Sequence, residues 1–546
     1  MGKIIGFTLV ALVILAGGGL WYWNTHKKKI IRNELEKAIS EKSHGLYKVD
    51  YADLDLDELS GNLSISSFNI TYDSSKYALL KTEDKEPYLL FNISIPQLQV
   101  TGVKTDRALL QKEITGKHLI ISNPVIEITY TNSGKDSSRT VPDQAIYRQI
   151  LGKLEFIKLD TVVISNAEII TKSIKTGRIS VHFLNTTITM LDVAVDSVAN
   201  ADTTRLLFAK EINLDCQNFT WQSKNKLYNY EGDSIAFRSA SSNVSIKNFL
   251  IKPQAAENAF ARQFPVQTDR FDLAIHNISL KNVEYAGLTD DLIKADSLVI
   301  GSGTFKIYRD RNRPADKKSK VGNYPHQLIQ KMPIKLDIKK AIVSNAYLEY
   351  KEKSPITHQP GRVQLWNSSV YITNITNRKE AIADNNLMVV DMRSRLLNKI
   401  PISAKWTFYL GNPDGKFRVE GQTGQGDAQS LNALTVPMGP VEIKSGHIQS
   451  LTFDFTGNDY SADGTLKLLY DDLHVALLKK DDDSVHFKRR KAISLLANMK
   501  IKNKNPEKGD PPRVINVNYK REPSASIFKL VWKTLLTGMQ ETIGIK

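Results

Sequence analysis

The stretch Val162–Ile170, VVISNAEII, alternates apolar and polar residues as a half-buried strand does, and then slips. Val162 and Ile164 are in step; Ala167 and Ile169 resume one residue late. The same slip interrupts AIVSNAYLEY, Ala341–Tyr350, where Val343 gives way to Ala346, Leu348 and Tyr350. Two earlier segments repeat it. Leu63 and Ile65 pass to Phe68, Ile70 and Tyr72 across Ser66-Ser67, and Leu119 and Ile121 pass to Ile126, Ile128 and Tyr130 across Asn123-Pro124. In a strand, one added residue turns every later side chain to the opposite face. A β-bulge absorbs the extra residue, restores the apolar face and bends the strand. Asn123, Asn166 and Asn345 sit at the slips, and Asn adopts positive φ more readily than most residues. A tight turn between two short strands is the competing expectation, because Asn suits that as well. Either way an apolar face is kept while the chain changes direction, as a strongly curved sheet requires.

The slips also expose an internal repeat. HLIISNPVIEIT from His118 aligns with SLVIGSGTFKIY from Ser297, and NAEII from Asn166 aligns with NAYLE from Asn345, both 179 residues apart. GRISVHFLNTTITM from Gly177 resembles GRVQLWNSSVYIT from Gly361. Residues 95–195 and 275–378 are therefore expected to be copies of one unit: strands, a polar loop, a short helix, then strands. The expected helices, near Gln144–Gly152 and Pro325–Lys331, are too few to cover a long sheet. Strands resume after residue 400, and the end, SASIFKLVWKTLLTGMQETIGIK, is helical in pattern. Phe528, Val531, Trp532, Leu535 and Met539 are expected to share one face.

The 546 residues are 41% hydrophobic and 24% charged, a globular balance and not a disordered one. A net charge of +16 favours phosphates, whether of nucleic acid or of anionic lipid. A single cysteine, Cys216, excludes an intramolecular disulfide and a cysteine-based zinc site. Ile4–Trp23 is an uncharged run of 20 residues, long enough to cross a bilayer core as a helix. Trp21, Tyr22 and Trp23, followed by Lys27, Lys28 and Lys29, fit an interfacial belt. A cleaved signal peptide ending near Ala16-Gly17-Gly18 is the alternative. The Lys and Arg count alone would keep the body cytoplasmic.

The pattern of catalytic residues is empty. The ten histidines form no H-x-H, no H-E-x-x-H and no pair four apart. Asp53, Asp55 and Asp57 have calcium-like spacing, yet Glu58 stands where such a loop needs Gly and Ser64 where it needs Glu. GQTGQGD at Gly421 lacks the Lys of a phosphate-binding loop. No catalytic residue, metal or cofactor is expected. The run His486–Lys504 is rich in Lys and Arg and holds no acid, but it has little aromatic interleaving; with an N-terminal anchor, lipid phosphate suits it better than nucleic acid, and a solvated basic loop and helix is the alternative.

YKVDYADLDLDELSGNLSISSFNITYD, after a short basic helix, resembles the start of AsmA-like proteins, which include TamB and its relatives. LIISNPVIEI looks like their repeated strand–Asn-Pro–strand element. VEIKSGHIQSLTFDFTGNDYSADGTLKLLYDDLHVALL, with Gly446 and the run Gly464 to Leu473, is similar to their C-terminal region. The resemblance implies a diderm-bacterial envelope protein: an inner-membrane anchor, then a long curved antiparallel β-groove in the periplasm, taco-like, linked to phospholipid movement. The implied sections are an anchor at 1–25, a juxtamembrane helix at 26–45, groove sections at 46–270 and 271–400, an AsmA-like β region at 401–485, and a basic segment with an amphipathic helix at 486–546. Ile126, Ile128, Ile169, Phe305, Ile307 and Leu348 are the expected groove lining. The expected partners are phospholipid, the inner membrane and other envelope proteins, with no nucleic acid. An anchored scaffold that binds protein partners without lipid is the alternative function.

Overall fold

The structure, a computed structural model, describes residues 43–545 apart from 44, 58, 84, 105–112, 132–150, 152, 153, 286–290, 439, 440, 481–486 and 490–500. Strands occupy 58% against 14% for helices, so the class is mainly β as expected. The anchor at residues 4–23, the juxtamembrane helix and most of the basic run lie outside the described residues. Among those described, no helix is long and apolar enough to cross a membrane. Two compact units are present, Met1–Phe249 with Lys281–Ile293, and Leu250–Leu280 with Lys294–Lys546.

The strands of the first unit are β1 (Tyr47–Asp50), β2 (Leu54–Asp57), β3 (Asn62–Tyr72), β4 (Leu89–Thr101), β5 (Glu113–Ser122), β6 (Val125–Tyr130), β7 (Phe156–Ser173), β8 (Ile179–Val195), β9 (Ala209–Gln222) and β10 (Tyr228–Arg238). β11 (Asn243–Pro253) begins in this unit and ends in the second. Helices α1 (Ser74–Thr82) and α2 (Ser197–Ala201) are short. β1 and β2 are two pieces of one strand on β3. β4 follows, then β5 and β6 as halves of one bent strand, then β7 to β10 in turn. The expected antiparallel order is broken at one place: β5 and β6 both pair with β7 in parallel. Parallel neighbours need a crossover, and residues 131–155 supply it.

The second unit holds β12 (Arg270–Lys281), β13 (Leu292–Asp310), β14 (Lys335–Lys353), β15 (Pro360–Thr376), β16 (Leu387–Leu396), β17 (Ile400–Tyr409), β18 (Phe417–Thr423), β19 (Gly426–Asp427), β20 (Val441–Gly457), β21 (Ser461–Lys480), β22 (Phe487–Arg489) and β23 (Ile515–Lys520). Its helices are α3 (Glu257–Arg262), α4 (Pro325–Gln330), α5 (Lys379–Asp384), α6 (Asn432–Met438) and α7 (Ile527–Thr542). β14 to β18, then β20, β21 and β23, pair antiparallel in that order. β13 and β14 run the same way. Asp296 meets Lys339 near their starts at 2.7 Å, and Arg311 meets Glu352 at their ends at 2.9 Å. The crossover between them, like that between β6 and β7, leaves one strand and returns parallel to it.

The phase slips are bulges inside continuous strands, not turns, in β7 and β14. Asn166 and Asn345 have φ of 53° and 49°. From Ile164 to Ala167 three residues of β7 oppose two of β8; from Ala167 to Ile169 two oppose three. The second bulge falls at Asn185 (φ 50°) and returns the register. β14 and β15 do the same with Asn345 and Asn367 (φ 50°). In the first unit Ser67, Asn123 and Ser234 are also left-handed, so a bend line crosses the sheet. β4 meets that line with Pro96, opposite Ser67 by register, where a residue without N–H costs the ladder least. Asn123 and Asn166 touch across the line at 3.4 Å. In the second unit Asn277 (φ 54°) continues the pattern on β12. β13 departs from it: Ser302, aligned with Asn123, is not left-handed, and Gly301 and Gly303 stand there instead. A Cβ on Gly301 would lie 3.0 Å from the Asn277 Cβ, tighter than ordinary packing.

Each unit buries a core on one sheet face. In the first it runs from Val49 to Ile212, with Ile65, Phe68, Leu98, Val193 and Val195 fully buried. Residues outside the strands close part of it: Val103, Leu151 and Phe208 are buried in the same core. In the second, Phe417, Val419, Phe455, Leu466 and Val517 are covered by α7. Gly538 lies flat on the sheet, where a Cβ would come 2.8 Å from Val517. The helix buries Ile527, Leu530, Val531, Thr534, Gly538 and Thr542. The expected stripe is therefore corrected: Phe528 and Trp532 lie on the flank, 64% and 41% exposed, because small residues let the helix sit closer on a neighbouring face.

Candidate apolar binding face

The bend line divides the apolar face of each sheet. On one side, here the lower half, lie the ends of β7 and β8 at Ile157 and Val195; on the other, the upper half, lie Ile169 and Phe183. Directly opposed residues in paired strands project from the same face. By register, Ile169, Phe183, Phe219 and Gly232 form one row across β7 to β10. Thr171, Val181, Trp221 and Tyr230 form the next. Phe183 and Phe219 lie 5.0 Å apart between ring centres, and Trp221 stacks on Tyr230 at 4.5 Å. Ile169 packs against the buried core, so the rows continue the core face. Yet Trp221 is 40% exposed, and the other aromatic rings of the rows are half-buried. Gly232 is buried, and a Cβ there would meet Phe219 at 3.5 Å and Ile235 at 3.6 Å.

The upper half of the second unit has the same character. Leu348, Leu365, Leu396 and Ile400 align across β14 to β17, closing at Ile400, which is 1% exposed, and Tyr350 opposes Val363. Phe305 stacks on Phe271, with ring centres 6.2 Å apart and planes within 7°. Phe305, Ile307, Leu348, Val363 and Leu365 are all half-buried. Alternation carries the face onward from Phe305 and Ile307 to Arg309, and from Leu348 to Tyr350 and Glu352. Here it turns polar. Arg309 grips Asp269 through Nε at 2.7 Å and Nη2 at 2.6 Å. Glu352 accepts from the Tyr350 hydroxyl at 2.5 Å and from Arg311 at 2.9 Å. Burial, then the Glu352 carboxylate, pushes the Tyr350 phenol well above its ordinary range. Burial works against the charge of Arg309, but Asp269 outweighs it and raises the guanidinium. α6 bounds this end, since a Cβ on Gly361, opposite Glu352, would run into Met438 at 2.5 Å.

Of the expected lining residues, Ile126 and Ile128 are 4% and 1% exposed and lie inside the closed core of β1 to β8. Ile169 stands at the margin between closed and open. Phe305, Ile307 and Leu348 lie on the open face of the second unit. The aromatic rows of β8 to β10 were missed, although alternation in NFTWQ and YNYEG carried the signal. The ion pairs were missed too; an Arg on the apolar phase of TFKIYRD was their sign. Among the described residues no cluster of His, Cys, Asp or Glu could hold a metal ion. No family profile and no curated protein matches the chain's sequence.

Proposed function

We propose that this protein is an envelope protein, anchored in the inner membrane and with its bulk in the periplasm, that takes lipid acyl chains onto its open apolar faces. In that role it contributes to phospholipid transport or outer-membrane homeostasis. The carrying observation is the half-buried upper half: apolar and aromatic rows on the same face as a buried core, with Trp221 and Phe271 40% and 38% exposed. Each CH₂ removed from water on such a face contributes about 0.8 kcal/mol, so an alkyl chain binds without a specific head-group contact. The groove-like, taco-shaped architecture and the periplasmic location rest on the resemblance to AsmA-like proteins. Native mass spectrometry of the full-length protein tests the reading: phospholipid should co-purify, and its absence overturns acyl-chain binding. A cysteine placed within 310–320 tests topology. It should be labelled on the periplasmic side of the intact inner membrane, and labelling only after permeabilisation overturns the location.

A scaffold that binds protein partners without lipid is the second reading. It is favoured for β1 to β6 by the closed packing around Ile126 and Ile128, where no chain could enter without unfolding the core.

A further inference from the structure

The open face of the second unit ends in charges of both signs, and that ending carries more information than the apolar rows. Resting on the acyl-chain reading, we infer that Arg309, Asp269, Arg311 and Glu352 form a head-group belt that selects lipids with zwitterionic heads, an ammonium and a phosphate together.

Four observations support this. First, the belt and the apolar lining share strands and face. Arg309 follows Phe305 and Ile307 at every second residue of β13, and Glu352 follows Leu348 and Tyr350 on β14. Four residues of strand span about 13 Å, so a tail on Phe305 and Leu348 leaves its head at the belt. Second, charges of both signs alternate: Arg309 pairs with Asp269 and Arg311 with Glu352, and Arg311 also acts on the Glu522 carboxylate. An anionic head would be drawn to the arginines and repelled by the carboxylates, and a cationic head the reverse. A zwitterion meets both. Third, donor capacity remains in Arg309. It spends Nε and Nη2 on Asp269, and among the described residues its Nη1 edge has no hydrogen-bond partner. A guanidinium has five N–H donors, so those on the Nη1 edge remain for a ligand. Fourth, the groups are held. Arg309 and Asp269 are 21% and 22% exposed and joined by a two-point contact, so little side-chain freedom is left to lose.

Among the described residues the first unit has no such belt. At the positions aligned with Arg309, Tyr350 and Glu352 it carries Tyr130, Thr171 and Ser173. Thr171 bonds Ser180 at 2.8 Å, and Tyr130 packs edge-on against Tyr88. Head-group selection is therefore assigned to the second unit alone.

The test uses the full-length chain reconstituted with equal amounts of phosphatidylethanolamine and phosphatidylglycerol of the same acyl composition. Lipid retained after extraction is counted by native mass spectrometry. The wild type should retain the zwitterionic lipid at least about threefold over the anionic one. The double variant Arg309→Gln with Asp269→Asn removes both charges of this pair together; it should bring the ratio to about one while total lipid changes by less than about twofold. Glu352→Gln, the milder change, should lower the ratio in the same direction with unchanged circular dichroism. A wild-type ratio near one, or a preference that survives both variants, overturns the belt and leaves acyl-chain binding standing. No retained lipid of either kind overturns acyl-chain binding, and the belt with it.

Discussion

Strand β8 holds both kinds of surface. Its lower residues Met190, Val193 and Val195 are at most 2% exposed, while on the same face above the bend Val181 and Phe183 are half-buried and Ile179 is 51% exposed. Composition does not separate the halves, since both are apolar: Ile179, Val181 and Phe183 above, Met190, Val193 and Val195 below. Burial does. Below Asn185 the face is buried in the core; above it the face is as apolar and only half-buried. A surface of this kind that served only to fold would be expected to turn polar where its burial ends, because contiguous exposed apolar patches usually meet something.

The sharpest way to break that contrast is to put a charge on each side of it. Ile128→Asp places a carboxylate in a site that is 1% exposed, with no partner. The cost is on the order of several kcal/mol, and folded protein should be lost. Phe305→Asp on the open face can keep its charge hydrated. It should lower the melting temperature by only a few degrees while cutting retained lipid. Equal melting temperatures in the two variants, measured by circular dichroism, would erase the distinction between closed and open.

The closed end of the second unit offers a comparable test. Arg521 and Asp459, 0% and 2% exposed, meet at 2.5 Å. Arg521 also donates to the carbonyls of Lys320 and Ala525, and Asp459 accepts from Gly322 N and Gln327 Nε2. Three distant segments are thereby tied at one point, with the guanidinium 4.3 Å over the Tyr324 ring. Arg521→Ala strands a buried carboxylate and should cost about 3–5 kcal/mol in urea unfolding. Replacing both partners, Arg521→Met with Asp459→Leu, should recover most of that. A single variant that unfolds like the wild type would mean the node holds nothing.

A smaller effect comes from His326 beside this node. It is 1% exposed, packed 4.7 Å from Phe408, and burial pushes its pKa down to about 4, against the opposing pull of Asp459. Above pH 6.5 neither the folded nor the unfolded chain protonates it. Below 6.5 the unfolded chain takes up a proton that the fold refuses, so stability falls until about pH 4, by at most about 3 kcal/mol. His326→Phe should flatten the profile between those limits. Retention of the full slope in that variant would assign the acid sensitivity to other groups.

How much of this the sequence carried depends on what each feature needed. The bend at Asn166 was legible because a bulge leaves its mark locally, as a parity change around one residue able to take positive φ. Its partner at Asn185 was not singled out, since FLNTTITM reaches its closed half with Thr and Met, and the slip is blurred. The parallel pairing of β5 and β6 with β7 was invisible: strand direction is set by the crossover, and a two-residue period is the same in either direction. The burial of Ile126 and Ile128 against the half-exposure of Leu348 was equally hidden. All three obey one alternation, and only long-range closure tells them apart.

The bend line itself gives the smallest predicted effect and the finest test. If the left-handed residues merely tolerate a shape imposed by packing, replacing one should cost only the intrinsic backbone penalty. If they create the shape, the register on both sides should suffer. Asn345 is exposed, so its replacement loses no core contact. Asn345→Ala keeps the length of the strand but must hold φ near 49° without a side chain suited to it, at about 1 kcal/mol. Asn345→Gly removes that penalty and should be within about half a kcal/mol of the wild type, since gained native freedom is set against greater unfolded entropy. Deleting Asn345 is different in kind. It takes out the residue that lets three positions of β14 oppose two of β15, so Leu348 and Tyr350 would turn to the outer face unless Asn367 also loses its bulge. The deletion should therefore abolish lipid retention, and deleting Asn367 along with it should restore part. If the double deletion is worse than the single one, the two bulges are independent, and the bend line is not one structural device.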